Sequence, residues 1–352
     1  MIREEHGNLL RADVDALVNT VNTVGVMGKG IALQFKRAYP EMYKAYERAA
    51  KENAIRIGEM FVWETEALSG PRLIVNFPTK RHWRSPSRLE DIRSGLLDLV
   101  TAIEKYQIRS IAIPPLGCGN GGLDWKEVAP LIWDALRPLE KSVDIRIYPP
   151  EGAPPAADMI TRTAAPRMTA ARAAVVKLLR AYEESSFHEA TLIEVQKLVY
   201  FLQQSGENLR LEFVKGNYGP YADNLRKTLR EIEGHFIVGF GDGSAPVTTA
   251  EPLAVVEAAA RQADAVLAAD QQTAARVARV LALTEGFTSM YGLELLASVH
   301  WAATRENVRD AADVIRLVRG WNKRKSSLFT EHHITEALTQ LRAHDWLSES
   351  AA

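Results

Sequence analysis

Between residues 149 and 157 the chain reads Pro149-Pro150-Glu151-Gly152-Ala153-Pro154-Pro155-Ala156-Ala157, and Pro166 follows. Each proline fixes φ and removes a backbone donor, so neither a helix nor a central strand can run through this stretch. It is either a long loop inside one domain or an extended, partly stiff linker between two. The halves it separates have different patterns, which favours the linker. A chain of 352 residues also suits about two domains of roughly 150 residues each. The expected organisation is a domain over residues 1–150, a Pro/Ala-rich linker over 151–168 and a second domain over 169–352.

The first half alternates strand and helix signals. Strands are expected at Val14–Asn19, Met60–Trp63, Leu73–Phe77, Ser110–Pro114 and Asp144–Tyr148. Helices are expected from Gly30 to the stop at Pro40, from Pro40 to about Asn53, from Ser87 to Tyr106 and from Trp125 to Leu136. Such alternation builds a mostly parallel or mixed sheet covered by helices, an α/β fold. The second half is mainly helical. Helices are expected at Ala170–Tyr182, Leu192–Gln204, within Pro252–Leu283, and at Leu293–Thr304, Arg309–Arg319 and Thr330–Arg342. Leu192, Val195, Leu198, Val199 and Leu202 form one stripe. Arg210–Val214 and His235–Phe240 read as short strands, a possible small β-wing on a helical domain.

Lys plus Arg total 43 and Asp plus Glu 44, a net charge of -1. That excludes a strongly basic nucleic-acid binder and an acidic disordered tail, while leaving room for a local basic groove. The one cysteine, Cys118, excludes an intrachain disulfide framework and a Cys-rich zinc site. The beginning of the chain lacks the apolar run of a signal peptide, and no stretch is long and apolar enough for a membrane span. The expected setting is the cytoplasm, with no membrane association. The oligomeric state is left open.

Two glycine-rich loops carry the chemistry. Asn19-Thr20-Val21-Asn22-Thr23-Val24-Gly25-Val26-Met27-Gly28-Lys29-Gly30 follows a strand and opens a helix. Exposed amides and a helix N-terminus favour phosphate there, and Asn19 and Asn22 at the strand end can reach a sugar hydroxyl. Neither the dinucleotide fingerprint nor the P-loop spacing is present, and a helix-capping turn is the plain alternative. Pro114-Pro115-Leu116-Gly117-Cys118-Gly119-Asn120-Gly121-Gly122-Leu123-Asp124 repeats the device, with Asp124 as the expected N-cap of the next helix. Two such loops at strand ends can clamp the two phosphates of one ligand. Cys118 lacks an evident His or Asp partner and is not read as a nucleophile. Pro78-Thr79-Lys80-Arg81-His82-Trp83-Arg84 crowds basic residues around a tryptophan. Lys80 can neutralise charge or, deprotonated, attack an electrophilic carbon. Arg81, Arg84 and Trp83 can contact a nucleic-acid backbone and stack a base. The alternative is a solvated basic turn anchored by its tryptophan. His82 is read as structural, and no metal site is expected.

Together, Asn19 to Leu33, Phe77 to Trp83 and Pro114 to Trp125 resemble a macrodomain, and more narrowly the DNA ADP-ribosyl glycohydrolase antitoxins called DarG. The phrase Thr23-Val24-Gly25-Val26-Met27-Gly28-Lys29-Gly30-Ile31-Ala32 is the most specific part. The resemblance implies a three-layer α/β/α domain over about residues 1–150 that removes ADP-ribose from thymine in single-stranded DNA and needs no cofactor. It implies catalysis by Lys80 with Asn22 at the distal ribose. Ligand contacts would come from Asn8, Leu9, Asn19, Gly28, Lys29, Gly30, Ile31, Thr79, Gly117, Cys118, Gly119, Asn120 and Gly121. Two positions depart from the family. Asn8 stands where many macrodomains carry an aspartate for the adenine amino group, and can accept that bond only through its amide carbonyl. Gly121 stands where related lysine-dependent members place an acid.

The second half resembles the toxin-binding part of the same antitoxins through Glu194-Val195-Gln196-Lys197-Leu198-Val199-Tyr200-Phe201 and Asn217-Tyr218-Gly219-Pro220-Tyr221. The implied partner is a DarT-like DNA ADP-ribosyltransferase toxin. Tyr218 and Tyr221 are the candidate anchors, with plain core packing the equal alternative. Trp321-Asn322-Lys323-Arg324-Lys325 adds a basic run that either meets DNA or is solvated. Two other functions stay open: a non-catalytic ADP-ribose reader with an interaction domain, and a winged-helix transcription regulator.

Overall fold

A computed structural model describes residues 1–66, 70–186, 188–305, 308 and 310–347. In it the alternating runs of the first half form a six-stranded sheet: β1 (Ile2–Glu4), β2 (Ala16–Asn22), β3 (Phe61–Glu64), β4 (Leu73–Lys80), β5 (Ser110–Ile113) and β6 (Asp144–Ile147). The order is β1-β6-β5-β2-β4-β3, parallel throughout except for the antiparallel edge β3. Because successive side chains in a strand point to opposite faces, each apolar run feeds two cores. Ala16, Val18, Val75, Phe77, Ile111 and Ile113 pack with Leu96, Leu99, Val128 and Ile132 of α3 (Leu89–Lys105) and α4 (Trp125–Leu136). Leu17, Val21, Ile74 and Ala112 pack with Phe35 of α1 (Gly30–Ala38) and Met42 and Tyr46 of α2 (Pro40–Lys51). The result is three layers, α/β/α. Asp124 caps α4 as expected, its carboxylate accepting from Lys126 N at 2.9 Å.

Three strand readings shift. β2 starts later than Val14 and runs on to Asn22. β4 does not stop before Pro78 but continues to Lys80. Its register against β2 slips at that point, Val21 facing Pro78 and Asn22 facing Lys80, where the proline withholds an N–H from the ladder. β1 was not expected. Ile2-Arg3-Glu4 has no apolar alternation, and its register partners all lie on β6.

The chain divides into two units, Met1–Ala164 with Asp242–Ser244, and Ala165–Gly241 with the residues from Ala245 on. Residues 151–164 belong to the first. Asn8 Nδ2 donates to the Asp158 carbonyl at 2.9 Å, and Arg162 N to the Arg37 carbonyl at 2.9 Å.

The second unit is largely helical: α5 (Ala170–Ser186), α6 (Leu192–Gln204), α7 (Leu225–Ile232), α8 (Glu257–Ala269), α9 (Gln271–Thr284), α10 (Met290–Arg305), α11 (Ala311–Gly320), α12 (Lys323–Leu328) and α13 (Glu331–Ala343). Arg309, the expected start of α11, lies outside the described residues. Helix α6 is buried from Leu192 to Leu202, not only along its apolar stripe. Its polar residues are therefore tied down. Gln196 exchanges two hydrogen bonds with Ala222, and Lys197 Nζ donates to the Pro220 carbonyl at 2.7 Å. The expected strands are mostly not strands. Leu211 is held by the Gln203 side-chain amide, at 2.8 and 2.9 Å, in place of a ladder, and Arg210 has φ 56°. Pairing is confined to β7 (Val214–Gly216) with β8 (Gly219–Tyr221), and to β9 (Ile237–Val238) with β10 (Ala254–Val255). Among the described residues no helix is long and apolar enough to cross a membrane.

Candidate active site

Five parallel strands put five C-terminal ends on one edge of the sheet. At the neighbours β2 and β5 the chain leaves in opposite directions, towards β3 and β4 from one and towards β6 from the other. Ligands of open α/β sheets bind in the crevice such a reversal opens. The loops leaving β2 and β5 are the two glycine-rich loops, and Lys80 ends the strand beside β2.

The first loop is folded by Asn22. Its Nδ2 donates to the Val26 carbonyl at 2.6 Å, and its Oδ1 accepts from Val24 N and Val26 N at 3.1 and 3.3 Å. The Tyr46 hydroxyl donates to its backbone carbonyl. Asn22 thus shapes the loop with the amide expected to face a ribose. Gly30 begins α1 at φ +59°, and a Cβ there would stand 3.0 Å from Asn120 Nδ2, so the two loops meet at this point. Lys29 is exposed, and Gly28 and Ile31 are half-buried.

In the second loop, glycine is a steric requirement. A Cβ on Gly121 would lie 2.1 Å from the Gly117 carbonyl oxygen and 2.4 Å from Ser87 Oγ, so no side chain fits and an acid there is excluded on geometry. Gly119 borders open space. Cys118 is half-buried. Burial, then the nearby charge of Asp124, pushes its thiol up to about 11, which makes it inert.

Lys80 is 9% exposed, and its Nζ donates to the Asn120 carbonyl of the second loop. Among the described residues no carboxylate pairs with it. Burial lowers its pKa from the ordinary lysine value. A partly desolvated lysine with a lowered pKa, set beside two glycine-rich loops, is open to amine chemistry.

Asn19 leaves the site. With β2 running to Asn22, Asn19 is inside the sheet, fully buried, and donates to Asn76 Oδ1 at 2.9 Å. Thr79 is likewise buried in β4, and Leu9 in the core. Asn8 caps a short helix, its Oδ1 accepting from Leu10 N at 3.0 Å, and lines a cavity of about 390 Å³ with Arg11, Arg146, Tyr148 and Asp158. Arg81 is exposed but already paired. Its guanidinium forks onto Asp91 at 2.5 and 2.8 Å, and its carbonyl accepts from Thr23 Oγ1 at 2.6 Å. Trp83 is 45% exposed, with the His82 ring stacked at 5.4 Å and Arg84 Cζ 4.3 Å from its centroid.

The sequence reading gave Ser87 to the start of a helix. That helix begins at Leu89, and Ser87 instead packs under the second loop. In the second unit, Tyr218 and Tyr221 are half-buried. Arg324 lies 4.8 Å from the Tyr218 ring centroid, and Lys325 of the basic run is fully buried on Glu294. At least that lysine is neither solvated nor open to DNA.

This sheet, with its crevice between paired glycine loops, is that of a macrodomain, and residues 18–132 match the Macro domain family model. The chain is 45% identical to the DNA ADP-ribosyl glycohydrolase of Mycobacterium tuberculosis over 97% of its own length and 99% of the relative's. It is 46% identical to that of Thermus aquaticus (97% and 93%). The chain belongs to the DNA ADP-ribosyl glycohydrolase family. The solved macrodomain of M. tuberculosis DarG is 58% identical, covering 43% of this chain and 99% of its own, with a TM-score of 0.42.

Proposed function

We propose that this protein hydrolyses the N-glycosidic bond between ADP-ribose and thymine in single-stranded DNA, reversing a toxin's modification, and that its second unit binds the toxin. The observation that carries the reading is Lys80 at the reversal of the sheet, its amine bonded to the second glycine loop and its carbonyl accepting from Thr23 N of the first. In the reaction the bond between the base nitrogen and the anomeric carbon breaks, the oxygen and one hydrogen of water go to that carbon, and the base nitrogen takes up the other proton. The carbon is cation-like in the transition state, so the ligand's diphosphate and fixed amides stabilise it.

The glycine loops around Gly28–Ile31 and Gly117–Gly121 take the diphosphate and distal ribose. The cavity at Asn8 suits the adenosine end. Lys80 acts at the anomeric carbon or on the proton of the departing base. With position 121 closed to an acid, the proton passes between Lys80, water and the substrate phosphate. Trp83 and Arg84 contact the DNA strand, with Arg81 as their brace. In the second unit Tyr218 stands in the turn and Tyr221 at the end of a hairpin whose β8 side is tied down by Gln196 and Lys197, which supports their use as anchors for a DarT-like toxin. The single cysteine supports a cytoplasmic setting.

Incubation with ADP-ribosylated single-stranded DNA, beside RNA and protein conjugates, tests the activity. Release of free ADP-ribose from the DNA alone is the expected result. A protein that binds ADP-ribose and releases none is a reader.

A further inference from the structure

Ser87 is buried, 5% exposed, and its hydroxyl has no hydrogen-bond partner among the described residues. An unsatisfied buried polar group is costly and uncommon in native structures. This one lies beneath the second glycine loop. Ser87 N donates to the Gly121 carbonyl at 3.0 Å. The next carbonyl back, that of Asn120, holds the Lys80 amine. Ser87 Oγ also occupies the space a side chain on Gly121 would need, 2.4 Å from that Cβ position and 3.2 Å from the one on Gly117. The segment from Lys80 to Ser87 therefore grips the second glycine loop at both ends, through neighbouring carbonyls. At one end a polar group is left unused.

We propose that Ser87 is a positioning residue whose hydroxyl is held unpaired in the free enzyme and bonds the backbone of the Gly117–Gly121 loop once that loop closes on a diphosphate. One such group is the Gly117 carbonyl, which borders the same missing Gly121 side chain as Ser87 Oγ. The closed loop then fixes the Asn120 carbonyl, and with it the aim of Lys80. The inference rests on the reading of the crevice as an ADP-ribose site. It adds that part of the ligand's binding energy comes from satisfying an orphan inside the protein. Strain or an unmet bond kept in the free state and relieved in the bound state is a recurrent feature of functional sites.

The test compares full-length wild type with Ser87→Ala and Ser87→Cys by thermal melting and by calorimetric titration with ADP-ribose. Removing an orphan hydroxyl costs the free enzyme nothing, so its melting temperature stays level or rises. The ligand-bound state loses one hydrogen bond, so ADP-ribose binds about three- to tenfold more weakly. Unchanged affinity in both variants overturns the proposal. So does a free enzyme that melts several degrees lower, since the hydroxyl is then an ordinary structural bond. Wild-type protein indifferent to ADP-ribose overturns the proposed function as well, whereas a normal wild-type response matched by the variants overturns only the role of Ser87.

Discussion

The Lys80 amine rests on a backbone carbonyl, not a carboxylate, and burial lowers its pKa. Burial favours a neutral amine at lower pH than an exposed lysine allows, and a carbonyl opposes this less than a carboxylate would. If that neutral amine does the chemistry, the single-turnover rate rises with pH through the lowered pKa and then levels. Arginine at this position keeps the charge but cannot give up its proton. Lys80→Arg and Lys80→Ala are therefore both expected to slow hydrolysis by roughly 10²- to 10⁴-fold. Affinity for ADP-ribose should change far less, because the interaction belongs mainly to the transition state. Rates at saturating enzyme together with binding isotherms separate this from a phosphate clamp, for which affinity falls and turnover survives. A Lys80→Arg enzyme retaining most of the wild-type rate would make Lys80 a charge and no more.

At the scale of the element, the turn after β4 is built before any DNA arrives. The Arg81–Asp91 fork fixes its start, and Arg84 N donates to His82 Nδ1 at 3.2 Å within it. A tryptophan exposed on so fixed a turn is a stacking surface that loses little entropy on binding. Trp83→Ala is expected to weaken modified single-stranded DNA by about 1–3 kcal/mol while leaving free ADP-ribose unaffected. Equal losses for both ligands would mean that the turn itself had collapsed. Helix α10 carries a second testable feature. His300 is buried, its Nδ1 is 2.8 Å from the Tyr200 hydroxyl, and desolvation lowers its pKa to about 4, with a bond to the Trp346 backbone carbonyl opposing and Arg305 and Arg279 pushing the same way as desolvation. The unfolded chain takes up this proton near pH 6.5 and the folded chain only near 4. Stability from this residue is thus whole above about pH 6.5 and lost as pH falls towards 4, by about 3 kcal/mol. Denaturant titrations of full-length protein across that window should show this slope, reduced in His300→Gln.

For the whole molecule, the useful boundary lies later than the first proline cluster. Asp158 is bonded to Asn8, and Arg162 N to Arg37 O, so a cut near 155 removes partners of the first unit. Residues 1–164 are expected to melt in one transition that ADP-ribose raises, by about 2.7 kcal/mol at a hundred times Kd. Residues from 165 on are expected to copurify with the cognate toxin. A folded fragment 1–164 without a ligand response would defeat the first expectation. A folded second fragment that ignores a folded toxin would defeat the other.

The sequence by itself determined the periodic and the sterically marked features. Alternating apolar runs required a sheet packed on both faces, and stripes such as Leu192 to Leu202 required helices. Pro40 set a helix start, and Asp124 announced its cap. The places of the paired glycine loops and of Lys80 were legible because each follows or ends an apolar strand run. What depends on partners distant in the chain was not legible. β1 exists because β6 lies beside it. β4 outruns Pro78 because β2 carries it, and Arg210–Phe213 fails as a strand because Gln203 satisfies Leu211 first. Tertiary structure alone set the Tyr46 hydroxyl on the Asn22 carbonyl, buried Asn19, paired Arg81 with Asp91 and set Ser87 beneath Gly121. Local pattern fixes which residues can serve a site, but a side chain's use is decided by which donors and acceptors the fold brings within about 3 Å of it.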